Sequence, residues 1–309
     1  MIIENSCLTR VSNNEIVDGK FVIPDSVTSI GDFAFEDCSW LTSINIPDSV
    51  TNIGVRAFAY CTGLTNVTIG GSVTRIGKGA FLGCVNLTSV KIPDKVTSIE
   101  RSAFYNCTGL TSVTIGSGVT SIGNSAFLGC VNLTSIKIPN SVTSIGNAAF
   151  YGCSGLTSVT IGNGVTSIGN NTFSGCSELT SVTIGNGVKS IGACAFACCT
   201  LTSKQANYKA FRIINEKFRC IRKTYSEGKR HYVRGALKIC ENGIHYCTNL
   251  FEIFNYYSGV IDKDIAIYEI DVGDKVLTSD TSKRCTNSCV LKKRLYHDDI
   301  IKILNGEEI

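Results

Sequence analysis

The sequence lacks any long apolar run. No segment of its 309 residues approaches the roughly 20 consecutive apolar residues that a membrane-spanning helix requires. Residues 1–7 contain no basic run followed by an apolar stretch, so no secretory signal is expected. These absences predict a cytoplasmic protein in a reducing compartment. There the 16 cysteines are expected to be free thiols, and half of them occupy one repeated position.

Charge of either sign is sparse over most of the chain. Residues 1–203 contain 10 Lys and Arg against 11 Asp and Glu, whereas residues 204–309 contain 19 against 14. The net charge of +4 therefore belongs to the C-terminal third. Nothing in the first two thirds indicates a nucleic-acid or membrane surface, so neither partner is expected. The change in composition predicts two structural units in a chain of this length.

What the sequence does contain is a 23-residue repeat between residues 25 and 200. Phe35 and Cys38 recur at this interval through Phe196 and Cys199. In each repeat, alternating apolar and polar residues predict a half-buried strand, and a following Pro-Asn or Gly-Asn pair predicts a turn. The Ala-Phe-x-Gly-Cys segment predicts a short helical turn with Phe and Cys inward. The pattern predicts a β-rich leucine-rich-repeat solenoid of about eight rungs, stabilised by stacking.

The repeated cysteine allows two interpretations. One is a column of metal ligands or disulfides. The other is a small apolar residue of constant volume in a buried column, as free cysteines usually are. The repeat offers no histidine or second cysteine at ligand spacing, which favours packing.

The outward strand positions form a polar face with few charges. They lack the Trp, Tyr and Arg that dominate protein interfaces. One interpretation is a solvated Ser/Thr ladder, and the other is a binding face, since the concave surface is the usual working face of solenoids. The predicted partner-binding residues are Ser89, Lys91, Thr114, Ser135, Lys137 and Thr160.

The consensus Leu-Thr-Ser-Val-Thr-Ile-Gly-x-x-Val-Thr-Ser-Ile-Gly-x-x-Ala-Phe-x-Gly-Cys closely resembles the BspA-type leucine-rich repeat over about residues 20–201. Members of that family are mostly bacterial or protist surface proteins implicated in adhesion and protein binding. The resemblance implies a protein-binding solenoid, although this chain shows no export signal. We expect an N-terminal cap at 1–22, the solenoid at 23–203 and a small α+β domain at 204–309.

The C-terminal third has no periodicity but contains several local signals. Residues 208–214 and 218–221 predict a hairpin, and residues 243–247 and 265–272 predict strands. A helix is predicted from residue 248 or 249 to residue 257, and a last helix over residues 298–304. These elements predict a compact domain of about 100 residues.

One cluster in this third contains Cys240, His245 and Cys247, which suggests zinc, with Cys220, Cys285 or Cys289 as further ligands. The spacing is uncommon for zinc, and a packed strand with incidental thiols is the favoured interpretation. His245 and Cys247 also form a conceivable catalytic pair, but no third orienting group is apparent. No cofactor is therefore expected.

Two resemblances concern the same third. Tyr208-Lys209-Ala210-Phe211, Cys-Glu-Asn-Gly-Ile-His-Tyr-Cys and Asn255-Tyr256-Tyr257 look like a small uncharacterised domain of bacterial and phage proteins. The run from Gly243 to Tyr246 is also similar to a segment of ADP-ribosyltransferases. That similarity implies NAD, with Tyr256 or Tyr257 stacking on nicotinamide, Arg212 in the place of the family's first-strand His or Arg, and Glu269 as the nearest equivalent of its catalytic Glu. With His245 of the Cys/His pair, Arg212, Tyr257 and Glu269 are the catalytic candidates. The leading hypothesis is a protein-binding solenoid with a small module of unknown role; the alternative is an ADP-ribosyltransferase-like domain targeted by the solenoid.

Overall fold

The computed structural model describes residues 1–201, 299–303 and 305 with their side chains, and further strands and one helix between residues 207 and 304 as backbone. Residues 1–201 form the solenoid of stacked 23-residue rungs that the repeat predicts. Each rung contributes one longer and one shorter strand. Each strand pairs in parallel with its equivalent in the next rung, except that the longer strands Ser112–Thr114 and Ser135–Ile138 do not pair.

The longer strands carry the alternating part of each repeat. They form a five-stranded and a three-stranded parallel sheet, with inward Val or Ile residues and outward polar residues. In chain order they are Lys20–Val22, Ser43–Ile46, Asn66–Ile69, Ser89–Lys91, Ser112–Thr114, Ser135–Ile138, Ser158–Ile161 and Ser181–Ile184.

The shorter strands form a ten-stranded sheet. At its N-terminal end, a hairpin takes the place of a rung, because its second strand pairs in parallel with the first two-residue strand. The strands are Ile2–Glu4, Cys7–Arg10, Ser29–Ile30, Asn52–Ile53, Arg75–Ile76, Ser98–Ile99, Ser121–Ile122, Ser144–Ile145, Ser167–Ile168 and Ser190–Ile191.

The third side of each rung is a turn, so the predicted helical turn is wrong. Within residues 1–201 the one helical segment is the short 3-10 helix Asn13–Glu15. In the fifth rung Ser125 and Gly129 have φ values of 55° and 75°, in the left-handed region, which interrupts a right-handed helix. The amide of Phe127, between them, donates across the rungs to the carbonyl of Ala149 at 2.7 Å.

The core is built from columns of identical residues, of which phenylalanine is the largest. Eight rings, from Phe35 to Phe196, stack with centroids 4.7–5.4 Å apart and planes within 14° of parallel. Phe21 packs edge-on against the first ring at 5.2 Å, which covers the N-terminal end of the stack. Each ring is buried by its neighbours in adjacent rungs, so no rung is stable alone.

The cysteine column lies beside the rings and has a repeated polar role. From the second rung onward, each thiol donates to the carbonyl of the phenylalanine in the preceding rung: Cys61 to Phe35 at 3.0 Å and Cys130 to Phe104 at 3.3 Å are examples. The same contact recurs 26 residues apart at Cys84, Cys107, Cys153, Cys176 and Cys199. Cys38, in the first rung, donates to the Val11 carbonyl instead. The described cysteines are free, and no metal-binding cluster occurs among the residues with described side chains.

Asn and Asp side chains bind consecutive rungs together at two turns. The Oδ1 atoms of Asn124, Asn147 and Asn170 each accept from the amide one rung ahead, at 2.8–2.9 Å. Asp94 accepts in the same way at the other turn, from the amide of Ser117 at 2.7 Å. These side chains link consecutive rungs, without a break from Asn124 through Asn170 at the first turn.

The last rung is covered by helix α1, His297–Leu304. Ile300, Ile301 and Ile303 are buried in the same hydrophobic cluster as the solenoid core. Asn305, which follows, bonds to both backbone groups of Ile184: it accepts from the amide at 2.7 Å and donates to the carbonyl at 2.9 Å. Within the described part of the chain, this side-chain amide thus bonds to the edge strand at Ile184, where a further rung would otherwise pair.

The C-terminal third contains a nine-stranded antiparallel sheet. The predicted hairpin, the strands near 243–247 and 265–272 and the last helix are confirmed, while the helix predicted to end at residue 257 lies outside the described residues. The strands are Asn207–Ile214, Lys217–Cys220, Lys223–Tyr225, His231–Tyr232, Ile244–Cys247, Ile265–Val272, Val276–Thr278, Lys283–Thr286 and Ser288–Leu295.

The buried thiols predict a specific sensitivity to alkali. Burial raises the pKa of Cys84 and of Cys130 from 9.0 to about 12. Because these values lie above those of the unfolded chain, the thiols favour the fold fully below about pH 9, and this contribution is lost as the pH rises towards 12. Each thiol should lower the free energy of unfolding by about 1.4 kcal/mol per pH unit in that window.

The measurement is urea unfolding at a series of pH values from 8 to 11. We expect Cys84→Ala and Cys130→Ala each to make the alkaline decrease in unfolding free energy shallower. Cys198→Ala is the control, because that side chain is exposed. Parallel pH profiles for the wild type and both buried variants would contradict the burial of these thiols.

The contact between Asn305 and Ile184 predicts a local effect of Asn305→Asp. The aspartate keeps an acceptor for the amide but loses the donor, and it places a carboxylate against the Ile184 carbonyl. We expect a loss of about 1–3 kcal/mol, seen as faster hydrogen exchange at the Ile184 amide. Asn132→Asp is the control, because that exposed side chain forms no hydrogen bond with the described residues. Equal exchange in the two variants would argue against this end contact.

Candidate functional site

The strand face is the outward side of the longer strands, and it contains the six predicted partner-binding residues. Each of these six residues lies next to an inward apolar residue of its strand, such as Val90, Ile136 or Val159. Because side chains alternate along a strand, the six side chains point outward. All six are exposed: Ser89, Lys91, Thr114, Ser135, Lys137 and Thr160.

Register places these residues in two parallel rows. Ser89 pairs with Ser112, and Lys91 pairs with Thr114, in the five-stranded sheet. In the three-stranded sheet Lys137 pairs directly with Thr160. Side chains of paired residues on neighbouring strands are close enough to contact a single ligand. The face is therefore a regular array of hydroxyls with an ammonium group at intervals.

The hydroxyls on the strand face differ from the other repeated hydroxyls of the solenoid. Thr65 donates to the Thr42 carbonyl at 3.0 Å, and Thr143 donates to the Thr120 carbonyl at 3.1 Å. Both columns repeat this bond along the solenoid, so their hydroxyls are already used. The strand-face serines and threonines make no such hydrogen bond with the described residues and remain available to a partner.

Lys20, Lys91 and Lys137 supply the positive charge of the strand face. Neither Lys91 nor Lys137 forms an ion pair within the part of the chain whose side chains are described. Hydrogen bonds from Ser117, with a smaller contribution from Lys91, lower the pKa of Asp94, which lies beyond the end of the same strand. Lys137 has Asn140 at the equivalent place. Lys137 therefore has less negative charge near it than Lys91 has.

The strand face is divided by an interruption of the sheet. Hydrogen-bonded pairing ends at Ser112–Thr114 and begins again at Ser135–Ile138. The contact between the Thr134 amide and the Thr111 carbonyl is long there, at 3.4 Å. The rungs remain joined through the shorter strands, Ser121 pairing with Ser144. The candidate residues lie on both sides of this interruption, with Thr114 on one side and Ser135 on the other.

A second surface was missed by reasoning from the sequence. The basic corner consists of Phe33, Arg56, Tyr60, Lys78 and Arg101, on the turn side of the first four rungs. The Arg56 guanidinium lies 5.8 Å from the Phe33 ring centroid and 5.4 Å from that of Tyr60. The two rings are 47% and 42% exposed. The sequence does contain an indication of this surface, because these residues depart from the repeat consensus at positions where later repeats carry small or amide residues.

The basic corner also contains unpaired cations. Arg56 bonds to Glu36 at 2.8 Å, whereas Lys78 and Arg101 form no ion pair with any described residue. These two residues are exposed and occupy the same position of consecutive rungs. Backbone bonds hold the rungs in register here, since Arg56 donates its amide to the Lys78 carbonyl at 2.9 Å and Gly79 donates to the Arg101 carbonyl at 3.0 Å.

The candidate residues of the C-terminal third lie on three adjacent strands. Arg212 is in Asn207–Ile214, His245 and Cys247 are in Ile244–Cys247, and Glu269 is in Ile265–Val272. The backbone register sets Tyr208 opposite both Cys247 and Glu269, and His245 opposite Cys285. Cys240 and Tyr257 lie outside the described residues. The zinc, Cys/His and NAD hypotheses for these residues stay predictions.

Among the described residues, no helix has the length and apolar character needed to cross a membrane.

Two crystal structures of leucine-rich repeat proteins are similar to this chain. One, from T. pallidum, is 26% identical over 57% of this chain and 72% of its own length, with a TM-score of 0.41. The other, from Bacteroides ovatus ATCC 8483, is 29% identical over 60% of this chain, with a TM-score of 0.43. This chain covers 65% of that second protein, just under two thirds. No curated protein sequence matches the chain.

Family models match both parts of the chain. Residues 208–303 match a domain of unknown function, DUF7666. The model of the BspA type leucine rich repeat region, with six copies, matches residues 3–131 and 97–223. Those matches span more than half of the sequence and coincide with the stacked rungs. The chain therefore belongs to the BspA-type leucine-rich-repeat family.

Proposed function

We propose that the protein is a binding protein whose strand face recognises another protein. The observation that carries this proposal is the availability of the strand-face hydroxyls. The two threonine columns donate to backbone carbonyls of the preceding rung, but Ser89, Thr114, Ser135 and Thr160 have no internal hydrogen bond among the described residues. A protein-binding role is general for leucine-rich-repeat solenoids.

The chemistry of the strand face indicates what kind of partner surface it fits. Hydroxyls both donate and accept, so they suit backbone amides and carbonyls or uncharged polar side chains. Lys91 and Lys137 are two rungs apart, a separation of about 10 Å along the solenoid axis. They would fix the orientation of a partner that carries carboxylates at a similar separation. Electrostatic contacts of this kind contribute mainly to specificity and association rate.

The test is charge reversal at Lys91 and Lys137, the two lysines among the predicted partner-binding residues. We expect Lys91→Glu with Lys137→Glu to weaken capture of at least one cellular protein by about tenfold, because two attractive contacts become repulsive. The measurement is affinity capture on immobilised full-length protein, with the captured proteins quantified by mass spectrometry.

The matched control is Lys95→Glu with Lys189→Glu. It makes the same change in net charge at two exposed positions outside the strand face. If the two double variants capture the same proteins in the same amounts, the strand face is not the binding site.

A cytoplasmic location is part of the same proposal. Each thiol of the buried column donates to a backbone carbonyl, as Cys107 does to Phe81. The thiols are therefore all hydrogen-bonded in their reduced form. A reducing compartment maintains that form. Fractionation of source cells should recover the protein with soluble cytoplasmic markers, and its recovery in an exported or surface fraction would contradict this part of the proposal.

A further inference from the structure

We propose that Asn305 is a site of spontaneous deamidation, and that its conversion to aspartate or isoaspartate frees the strand edge at Ile184. The site is at the last rung, and none of the six predicted partner-binding residues takes part in it. Three observations support the assignment: the residue that follows Asn305, the hydrogen bonds of its amide, and the different surroundings of the same dipeptide inside the stack.

The residue that follows Asn305 in the sequence is Gly306. Deamidation begins when the backbone nitrogen of the following residue attacks the side-chain carbonyl carbon. A bond forms between that nitrogen and Cγ, the nitrogen loses its proton, and the Cγ–Nδ2 bond breaks to release ammonia. Water then opens the resulting succinimide ring at either carbonyl, which gives aspartate or isoaspartate without any oxidant or reductant. Glycine favours ring closure because it has no Cβ and its backbone is the least restricted.

The Asn305 amide uses both of its polar atoms on the last long strand. Its Oδ1 accepts from the Ile184 amide at 2.7 Å, and its Nδ2 donates to the Ile184 carbonyl at 2.9 Å. Deamidation removes Nδ2, so the donor is lost and a carboxylate oxygen faces the carbonyl oxygen. In isoaspartate the backbone is also one methylene longer, which displaces the remaining acceptor. Either product leaves the Ile184 carbonyl without this donor, at a sheet edge where a foreign strand can pair.

The closed contact protects Asn305, because two hydrogen bonds fix the orientation of its amide and disfavour rotation of Cγ towards the following nitrogen. Conversion therefore requires α1 to move away from the last rung. The buried side chains of Ile300, Ile301 and Ile303 hold this helix of eight residues in place. A single short helix opens at a lower cost in free energy than a set of stacked rungs does. Conversion is not reversed spontaneously, so each opening that leads to it leaves a permanent change.

The same dipeptide, Asn163-Gly164, lies inside the stack and is held on both sides. The Asn163 amide donates to Asn140 Oδ1 at 2.9 Å, and its own Oδ1 accepts from the Asn186 amide at 3.2 Å. A Cβ at Gly164 would clash with the Asn140 carbonyl oxygen, so the stacking of rungs explains the glycine at this position. Opening this site means separating rungs, and Asn163 should therefore be the more resistant of the two asparagines.

The test is peptide mapping by mass spectrometry of full-length protein that has been incubated at neutral pH in heavy-oxygen water. Conversion replaces the amide by a carboxyl group that carries the heavy oxygen, and enzymatic methylation quantifies isoaspartate. We expect Asn305 to convert at least about tenfold faster than Asn163, because both precede glycine and only the cost of local opening differs. Hydrogen exchange at the Ile184 amide should accelerate in parallel with the conversion of Asn305.

Two variants separate the chemistry from the contact. Gly306→Ala leaves Asn305 in place and should slow its conversion by about tenfold, since a Cβ restricts the backbone at the attacking nitrogen. After the same incubation, exchange at the Ile184 amide should stay slow in this variant. Ile301→Ala removes apolar surface that holds α1 on the last rung, and it should accelerate conversion of Asn305 by about tenfold without a change at Asn163. Lys302→Ala, at an exposed position of the same helix, is the matched control and should leave both rates unchanged.

Three results would overturn the proposal. They are equal conversion of Asn305 and Asn163, unchanged exchange at the Ile184 amide after Asn305 has converted, and equal conversion rates in the Ile301→Ala and Lys302→Ala variants. Because the strand face is tested by its own variants, failure at this site is distinguishable from failure of the binding proposal.

Discussion

Hydrogen bonding between superimposed rungs is the constraint on which the rest of this structure depends. Each rung must repeat the backbone path of the one before it, so a residue type that fits once fits at every multiple of 23 positions. The phenylalanine rings stack nearly parallel as a result, and the thiol beside each ring reaches the same carbonyl each time. The columns are consequences of backbone register, and a single oversized or undersized side chain would disturb two neighbours as well as its own rung.

Most of the variation among the described rungs lies where a column faces solvent, although the buried Thr172 stands in a column of alanines. From the fifth rung onward the turn positions with left-handed φ carry Asn, Ser, Ala, Gly or, in the last rung, Cys, and Asn124, Asn147 and Asn170 link consecutive rungs. The first two rungs carry rings and charges at the same places. The strand face is polar except at Val22, which is 84% exposed, and lysine occupies the same outward position only at Lys91 and Lys137 among the described rungs. The rungs therefore differ from one another mainly at their solvent-facing positions.

Periodicity in the sequence was sufficient to predict the rungs, the strand positions, the inward columns and the packing role of the repeated cysteine. It did not predict the turn conformation, because left-handed φ at Ser125 is imposed by bonds to the next rung and not by local propensity. The amide ladders and the basic corner join residues 23 positions apart, so their chemistry appears only when repeats are aligned as neighbours. The contact of Asn305 with Ile184 joins residues 121 positions apart, and no pattern in the sequence indicates it.

That last contact changes how the chain is divided. Helix α1 belongs to the terminal segment by sequence, yet its isoleucines complete the core of the final rung. The final rung is completed by a side chain that lies 121 positions further along the sequence. A chain cut after Leu201 would lack that contact and leave the edge of Ser181–Ile184 open to pairing with a foreign strand.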